Sequence, residues 1–493
     1  MAAECRVRYR RTPPLQRVTD VCLLGVRLGA TIAALAAAGR GDVAGFACIA
    51  PVVNGRAWLR EVRALQAAMG RAEPPPEFAL PEGVSESVGL LLAAETRESI
   101  TRVDLAAMPT PPAPVCLILD RDDRPPNAAW CARLEELSAA VDQHVLPGFV
   151  EMVLDPHEAE VPEQMLGTFT KWLTAQFPAE ATQHTAKQAL TGPVSVSPGV
   201  EESAHFLDDA HRLFGVVTTP VGPPPTRALL LLNSGSNHHI GNGRMYVKFA
   251  RRLARQGWLV LRYDVGGIGD SAPHPGAPDN DVYTANAIGD LATAIAFVRG
   301  RPGIARVEVS GLCSGAYHGF KGAVAGLAMD GITVVNPLVF FWKDGMTLAY
   351  PPFQMVQAAA QYQQSAMRLD KWLKLLRGQV KLRPILEVLA HRAADRATGL
   401  VRNLRRAIGL PPAEDLGREL EEVVARGTAL RFVFSVGDPG EALLRVGAGW
   451  VLPRLERSGQ VPIAYLPDCD HSLSASWMHE LLWQELTGGL GSQ

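Results

Sequence analysis

The stretch VEVSGLCSGAYHGFKGAVAGL, Val307 to Leu327, reads as a short apolar strand, a turn flanked by glycines and a helix. A small-x-nucleophile-x-small turn between strand and helix has a specific physical use. It holds the central residue in a strained backbone conformation with its side chain pointing away from the sheet, and the flanking small residues let strand and helix approach closely. Here Gly311 and Gly315 flank Cys313. Centring the pattern on Ser314 would put Leu312 at a small-residue position, which is sterically worse. Cys313 is therefore the candidate nucleophile, and Ser314 a backbone N–H donor to an oxyanion. A thiol at a helix N-terminus faces the positive end of the helix and several free N–H groups, which favours thiolate.

The same unit occurs earlier in the chain. Val18 to Ala38 (VTDVCLLGVRLGATIAALAAA) is again strand, turn and helix, and the turns align as Gly25 to Ala30 and Gly311 to Ala316. The segments that follow are also parallel. After the first turn come an apolar run (Phe46 to Val53), a strand ending in acid (Val115 to Asp123), and a strand predicted over VEMVLDPHE that ends near His157. After the second come Ile332 to Phe341, a long helical stretch, Leu430 to Asp438, and a strand ending near His471. Only the second half has apolar runs ahead of its turn, at Phe214 to Thr219, Ala228 to Asn233 and Leu259 to Asp264, with a helix predicted over Tyr246 to Gln256.

This pattern predicts an α/β architecture. A doubly wound, mostly parallel sheet of the α/β-hydrolase type is expected over 201–493, with a helical lid at about 345–427. A partial hydrolase-like domain is expected over 1–181. A linker is expected over 182–200, where hydrophobic periodicity gives way to Pro, Ser and Gly. In such folds the acid and the histidine follow the nucleophile in chain order. Asp438 and His471 arrive in that order, with Asp470 and Asp344 as weaker rivals for the acid. The second oxyanion donor is expected from the backbone of Ser234 or Gly235, in a polar loop after Ala228 to Asn233. In the first half the nucleophile position is Arg27, which is protonated at any working pH and cannot attack a carbonyl. That half is expected to pack or mediate assembly, its Asp120, Asp122 and His157 being vestigial.

Several of these residues carry a resemblance. Gly241-Asn242-Gly243-Arg244, Leu261-Arg262-Tyr263-Asp264 followed by Gly267-Ile268-Gly269-Asp270-Ser271, the elbow, and Asp470-His471-Ser472 make residues 205–493 similar to the exosortase-A-system-associated hydrolases, relatives of the serine-aminopeptidase-like hydrolases. Gly25 to Ala30 and Ala50 to Glu61 resemble the companion hydrolase of the same bacterial loci. Cysteine in place of serine at the nucleophile departs from that pattern. Dienelactone hydrolases and polyhydroxyalkanoate synthases share the cysteine but resemble this chain only there.

Composition sets outer bounds. The 493 residues carry a net charge of -2, with 47% hydrophobic and 20% charged residues, so neither disorder nor nucleic-acid binding is indicated. The seven cysteines include no CxxC pair and no disulfide framework, and most are expected to be buried thiols. No metal and no cofactor are expected, and His238, His239 and His318 read as loop or helix-surface residues. No apolar h-region follows the basic N-terminus and no stretch is long enough to span a bilayer, so a cytoplasmic location is expected.

Between Arg368 and Arg406, Lys and Arg greatly outnumber acids (Asp370, Glu387 and Asp395). Arg368, Lys371 and Lys374 are candidate docking residues for an acidic partner, such as an acyl carrier protein or the phosphates of coenzyme A, with a solvated helix face as the alternative. The chemistry expected is acyl transfer on a small-molecule thioester or activated ester through a Cys-His-Asp triad. A carboxylesterase and a non-catalytic assembly module are the competing expectations.

Overall fold

A computed structural model describes residues 21–68, 74–87, 89–154, 158–178, 192–343, 346 and 414–491. They belong to two compact units, Met1–Lys187 and Gln188–Gln493.

The first unit contains strands β1 (Cys22–Val26), β2 (Gly45–Ile49), β3 (Ser85–Ser87), β4 (Leu90–Leu92), β5 (Val115–Arg121) and β6 (Ala140–Leu146). Four of them make a parallel sheet in the order β1-β2-β5-β6, and β3 and β4 form a separate antiparallel hairpin. Parallel strands need cover on both faces. Phe46, Cys48, Cys116 and Ile118 pack with Trp130 on one side, while Ala47, Ile49, Leu117 and Leu119 pack with Phe149 and Trp172 on the other. Helix α1 (Leu28–Ala37) follows β1 directly.

One expectation fails here. The segment VEMVLDPHE does not supply the last strand: Phe149–Met152 is a short helix, entered through Gly148 at φ 105°, and the strand lies earlier at β6. As an edge strand paired only to β5, β6 has a polar, half-exposed sequence (AVDQHVL) without the apolar run that marks a buried strand. His157 lies outside the described residues.

The second unit is built on a nine-stranded sheet. Its strands are β7 (Val194–Ser197), β8 (Val200–Phe206), β9 (Phe214–Pro220), β10 (Arg227–Leu232), β11 (Trp258–Tyr263), β12 (Arg306–Leu312), β13 (Gly331–Val335), β14 (Ala429–Ser435) and β15 (Ile463–Leu466), in the order β15-β14-β13-β12-β10-β11-β9-β8-β7. From β15 to β11 every pair is parallel, and β9, β8 and β7 are antiparallel. The chain leaves β10 toward β11 and then returns to the other side of β10 as β12. The loops after β10 and β12 therefore diverge at a topological switch point, where open α/β sheets leave a crevice for ligands. Residues Ala228 to Leu232 of β10 are buried on both faces, as a central parallel strand requires.

Two boundaries move. Part of the expected linker is sheet: β7 and β8 form a hairpin closed at Pro198-Gly199, with Gly199 at φ 74°. Pro, Ser and Gly there mark a tight turn between edge strands, and the first described residue of this unit is Gly192. The end of the expected lid is core. Helix α5 (Leu416–Ala425) buries Leu416, Leu420 and Val423 and is the crossover that a parallel β13–β14 pair requires. The rest of the lid, with Asp344, Arg368, Lys371 and Lys374, lies outside the described residues. Among the described residues no helix is long and apolar enough to cross a membrane.

Candidate active site

Cys313 ends β12 and caps helix α4 (Ser314–Val324) with φ 57° and ψ -115°. A side chain at positive φ costs roughly 1–3 kcal/mol, so the turn must be held by its surroundings. Its N–H donates to Val335 O (3.0 Å) and its carbonyl accepts from Tyr317 N (3.2 Å). The glycines are obligatory. A Cβ on Gly311 would stand 2.2 Å from the Gly315 carbonyl carbon, and one on Gly315 would stand 2.4 Å from Asn233 O.

Helix α6 (Pro439–Ala448) begins at Asp438, and its two carboxylate oxygens have separate tasks. Oδ1 accepts from Gly440 N (2.8 Å), capping the helix, while Oδ2 accepts from His471 Nδ1 (2.6 Å). His471 Nε2 is buried, has no hydrogen-bond partner among the described residues, and lies beside Cys313. Burial would lower the pKa of this histidine, but the bond to Asp438 and the adjacent Cys313 outweigh it and push it up to about 10. Asp470 is turned elsewhere: its carboxylate accepts from Ser474 N (3.0 Å) and from the Ser474 hydroxyl. Cys313, His471 and Asp438 thus converge from three separate loops at one edge of the sheet.

Asn336 was not singled out from sequence. Fully buried at φ 43°, it donates from Nδ2 to His471 O (2.9 Å) and to Ser435 Oγ (2.9 Å), and accepts from Ser435 N (2.8 Å). It ties the end of β13 to β14 and to the histidine loop. The available signal is a polar Asn-Pro directly after the apolar run of β13.

The loop after β10 reaches the elbow from the other side. The Gly235 N–H, expected to serve an oxyanion, donates instead to Ser314 Oγ (2.8 Å). Ser314 is buried at the first position of α4, and Ser234 is buried beside it. Behind this loop stands Asp264, wholly buried, which accepts from Asn233 Nδ2 (2.8 Å), His239 N (2.6 Å), His239 Nδ1 (2.7 Å) and Asp270 N (3.1 Å). Gly269 is required there, since its Cβ would meet the Asp264 carboxylate at 2.6 Å. Donor atoms of His238, His239, Asp264 and Asp270 lie within 4.8 Å of one another, a spacing that could hold a cation. Four N–H groups already occupy the Asp264 carboxylate, so the group acts as a hydrogen-bond hub fixing the β10 loop. His239 lies in a loop, as expected, drawn inward by Asp264, whereas His318 is not on the helix surface but buried in α4 against Tyr283 and Tyr317. The GNGR segment also has a structural task. Asn242 donates to Ser472 O (2.6 Å) and accepts from Asn237 Nδ2 (2.7 Å), joining the β10 loop to the loop of His471.

Residues 224–390 match the family model of the S33 serine aminopeptidases. The second unit has an α/β-hydrolase fold. Among solved structures, this hydrolase-fold chain is similar to Est1E from Butyrivibrio proteoclasticus at 11% identity, covering 58% of this chain and 97% of that one with a TM-score of 0.34. A serine hydrolase involved in carbazole degradation matches at 15% identity, over 59% of this chain and 100% of that one, with a TM-score of 0.33. Proline iminopeptidase from Mycobacterium smegmatis matches at 18% identity, over 56% and 92%, with a TM-score of 0.32. No curated protein sequence matches the chain.

Proposed function

We propose that the second unit catalyses acyl transfer from a thioester or activated ester through a Cys313-His471-Asp438 triad. The observation that carries this reading is His471, whose Nδ1 is held by Asp438 while its Nε2, buried and unpartnered, sits beside the thiol of a strained elbow cysteine.

The proton shared by Cys313 and His471 rests on Nε2, since the histidine pKa is pushed up to about 10, and Cys313 Sγ attacks the acyl carbonyl. The imidazolium that results is stabilised by Asp438, the tetrahedral oxyanion receives the Ser314 N–H at the start of α4, and collapse returns the proton from Nε2 to the leaving thiol or alcohol. An acyl-thioester enzyme remains, to be resolved by water or by an acceptor. Sulfur replacing sulfur makes exchange with a thioester donor nearly thermoneutral, which favours thioesterase or acyltransferase chemistry over plain oxygen-ester hydrolysis. A carrier-protein or coenzyme A donor belongs to the same proposal, as do a cytoplasmic setting and a packing or assembly role for the first unit.

Kinetics with matched thioesters and oxygen esters test this. Cys313→Ala should abolish turnover, Cys313→Ser should keep some ester hydrolysis, and the wild type should prefer the thioester. Full activity in the alanine variant would refute the triad, preference for the oxygen ester would make the unit a carboxylesterase, and absence of any turnover or acyl labelling in the wild type would leave the assembly role.

A further inference from the structure

With Gly235 N–H engaged by Ser314 Oγ, one of the two backbone candidates for the second oxyanion donor, Ser234 and Gly235, is already occupied. Tyr283 stands on the same site from a different element, the long loop between β11 and helix α3 (Ala287–Arg299). Only 6% of its surface is exposed, and its hydroxyl is buried, with no oxygen or nitrogen partner among the described residues and the Cys313 thiol as its neighbour. The ring is fixed on both sides. It stacks on Trp342 (centroids 4.1 Å apart, planes at 18°) and meets Tyr317 edge-on (5.4 Å), and the Tyr317 N–H in turn holds the Cys313 carbonyl. The hydroxyl comes close enough to Cys313 for the two groups to interact. Burial first, and then that neighbour, keep the phenol well above its ordinary pKa, so it remains a proton donor.

A buried hydroxyl with only a thiol beside it is costly and is rare without a use. The carbonyl oxygen of an acyl group attached to Sγ lies only two bonds beyond the sulfur, one of them about 1.2 Å long, so a donor that abuts Sγ is within reach of it. We propose that the Tyr283 hydroxyl donates a hydrogen bond to the oxyanion formed when Cys313 is acylated, acting with the Ser314 N–H in place of the occupied Gly235 N–H. This rests on Cys313 being the nucleophile. In the step, the Sγ–C bond forms while His471 Nε2 holds the proton, and the carbonyl π pair becomes the oxyanion that Tyr283 O–H and Ser314 N–H stabilise. Tyr283 keeps its proton throughout.

The test compares two reactions of the full chain at Cys313. Acylation by 4-nitrophenyl butyrate, followed by its nitrophenol burst and by intact mass, passes through an oxyanion; alkylation by iodoacetamide does not. Tyr283→Phe keeps the ring stack and is expected to slow acylation roughly 10²- to 10³-fold, the usual effect of removing one such donor, and to leave alkylation within about twofold of wild type. Inhibition by a trifluoromethyl ketone, which forms a hemithioketal oxyanion, should weaken by a similar factor. A melting temperature close to wild type is expected, because the ring contacts with Trp342 and Tyr317 are kept. Unchanged acylation and inhibition would overturn the proposal, and so would an equal loss in acylation and alkylation, which would place Tyr283 on the thiol rather than the oxyanion. Failure of the underlying reading looks different: Cys313→Ala would still be acylated, or the wild type would not be acylated at all.

Discussion

Arg27 and Cys313 occupy the same backbone conformation, φ 50°, ψ -125° and φ 57°, ψ -115°, each ending a parallel strand and capping the helix that follows. The likeness extends to hydrogen bonds. Arg27 N donates to Ile49 O and Cys313 N to Val335 O, both at 3.0 Å, and Ala50 (φ 47°) and Asn336 (φ 43°) then donate to Leu119 O and Val433 O. The glycines before both elbows abut the following helix in the same way, with Cβ contacts of 2.3 Å at Gly25 and 2.2 Å at Gly311. The first unit has the backbone geometry of the elbow with an arginine at its centre. Arg27 pairs with Glu61 (2.9 Å), and the same count from the matched residues Leu119 and Val433 that reaches Asp438 reaches Arg124, which also approaches Glu61 (3.4 Å). Asp120 is buried, but it serves Asn127 and Gln143.

Restoring a thiol to the first elbow should therefore not restore catalysis. Arg27→Cys in a Cys313→Ala background is expected to show no turnover and no acyl labelling at position 27 by peptide mass analysis, because an arginine stands where the orienting carboxylate belongs. Turnover in that double variant would contradict the repeat-based account.

The two carboxylates near His471 should separate cleanly. Asp438→Asn keeps a side chain able to cap α6 but presents the wrong partner to Nδ1, and kcat is expected to fall by roughly 10⁴, as when the acid of a triad is neutralised in place. Asp470→Asn should change kcat by no more than about tenfold, since the Asp470 carboxylate accepts from Ser474 and secures its own turn. The opposite ranking in steady-state kinetics would make Asp470 the acid.

The raised pKa of His471 has a definite sign. The folded value of about 10 lies above the ordinary 6.5, so the charged ring stabilises the fold fully below about pH 6.5 and loses that contribution as the pH rises through about 10. Histidine Cε1 resonances should place its midpoint far above those of His318 and His479, which burial lowers to about 4. In Cys313→Ala one of the two partners that raise it is gone, and the midpoint should drop. An unchanged midpoint would show that Asp438 alone holds the proton.

His318 acts in the opposite direction. Buried under α4 with neither ring nitrogen partnered among the described residues, it has a pKa lowered by burial to about 4. A depressed folded value means that stability is intact above about pH 6.5 and is lost as the pH falls toward 4. Denaturant midpoints measured from pH 7 to pH 4 should fall for the wild type, and less steeply for His318→Phe. Equal slopes would remove His318 as a source of acid sensitivity.

Local sequence determined a good deal about this chain. Alternating apolar runs, glycines flanking Cys313 and the order of Asp438 and His471 are short-range or ordinal features, and they were enough to identify the α/β-hydrolase fold, the repeated elbow and three residues that the structure brings together. Edge elements escaped because their cues are weak: β6 is polar, and β7 lies in a stretch that reads as linker. What only the tertiary structure decided is how polar groups are shared. Whether Asp438 or Asp470 faces the histidine, whether Gly235 N–H is free or held by Ser314, whether Asn336 braces the histidine loop, and whether Tyr283 from a remote loop reaches Cys313 all depend on hydrogen bonds between segments far apart in sequence. A side chain's type states what it can donate or accept, and only packing states to whom.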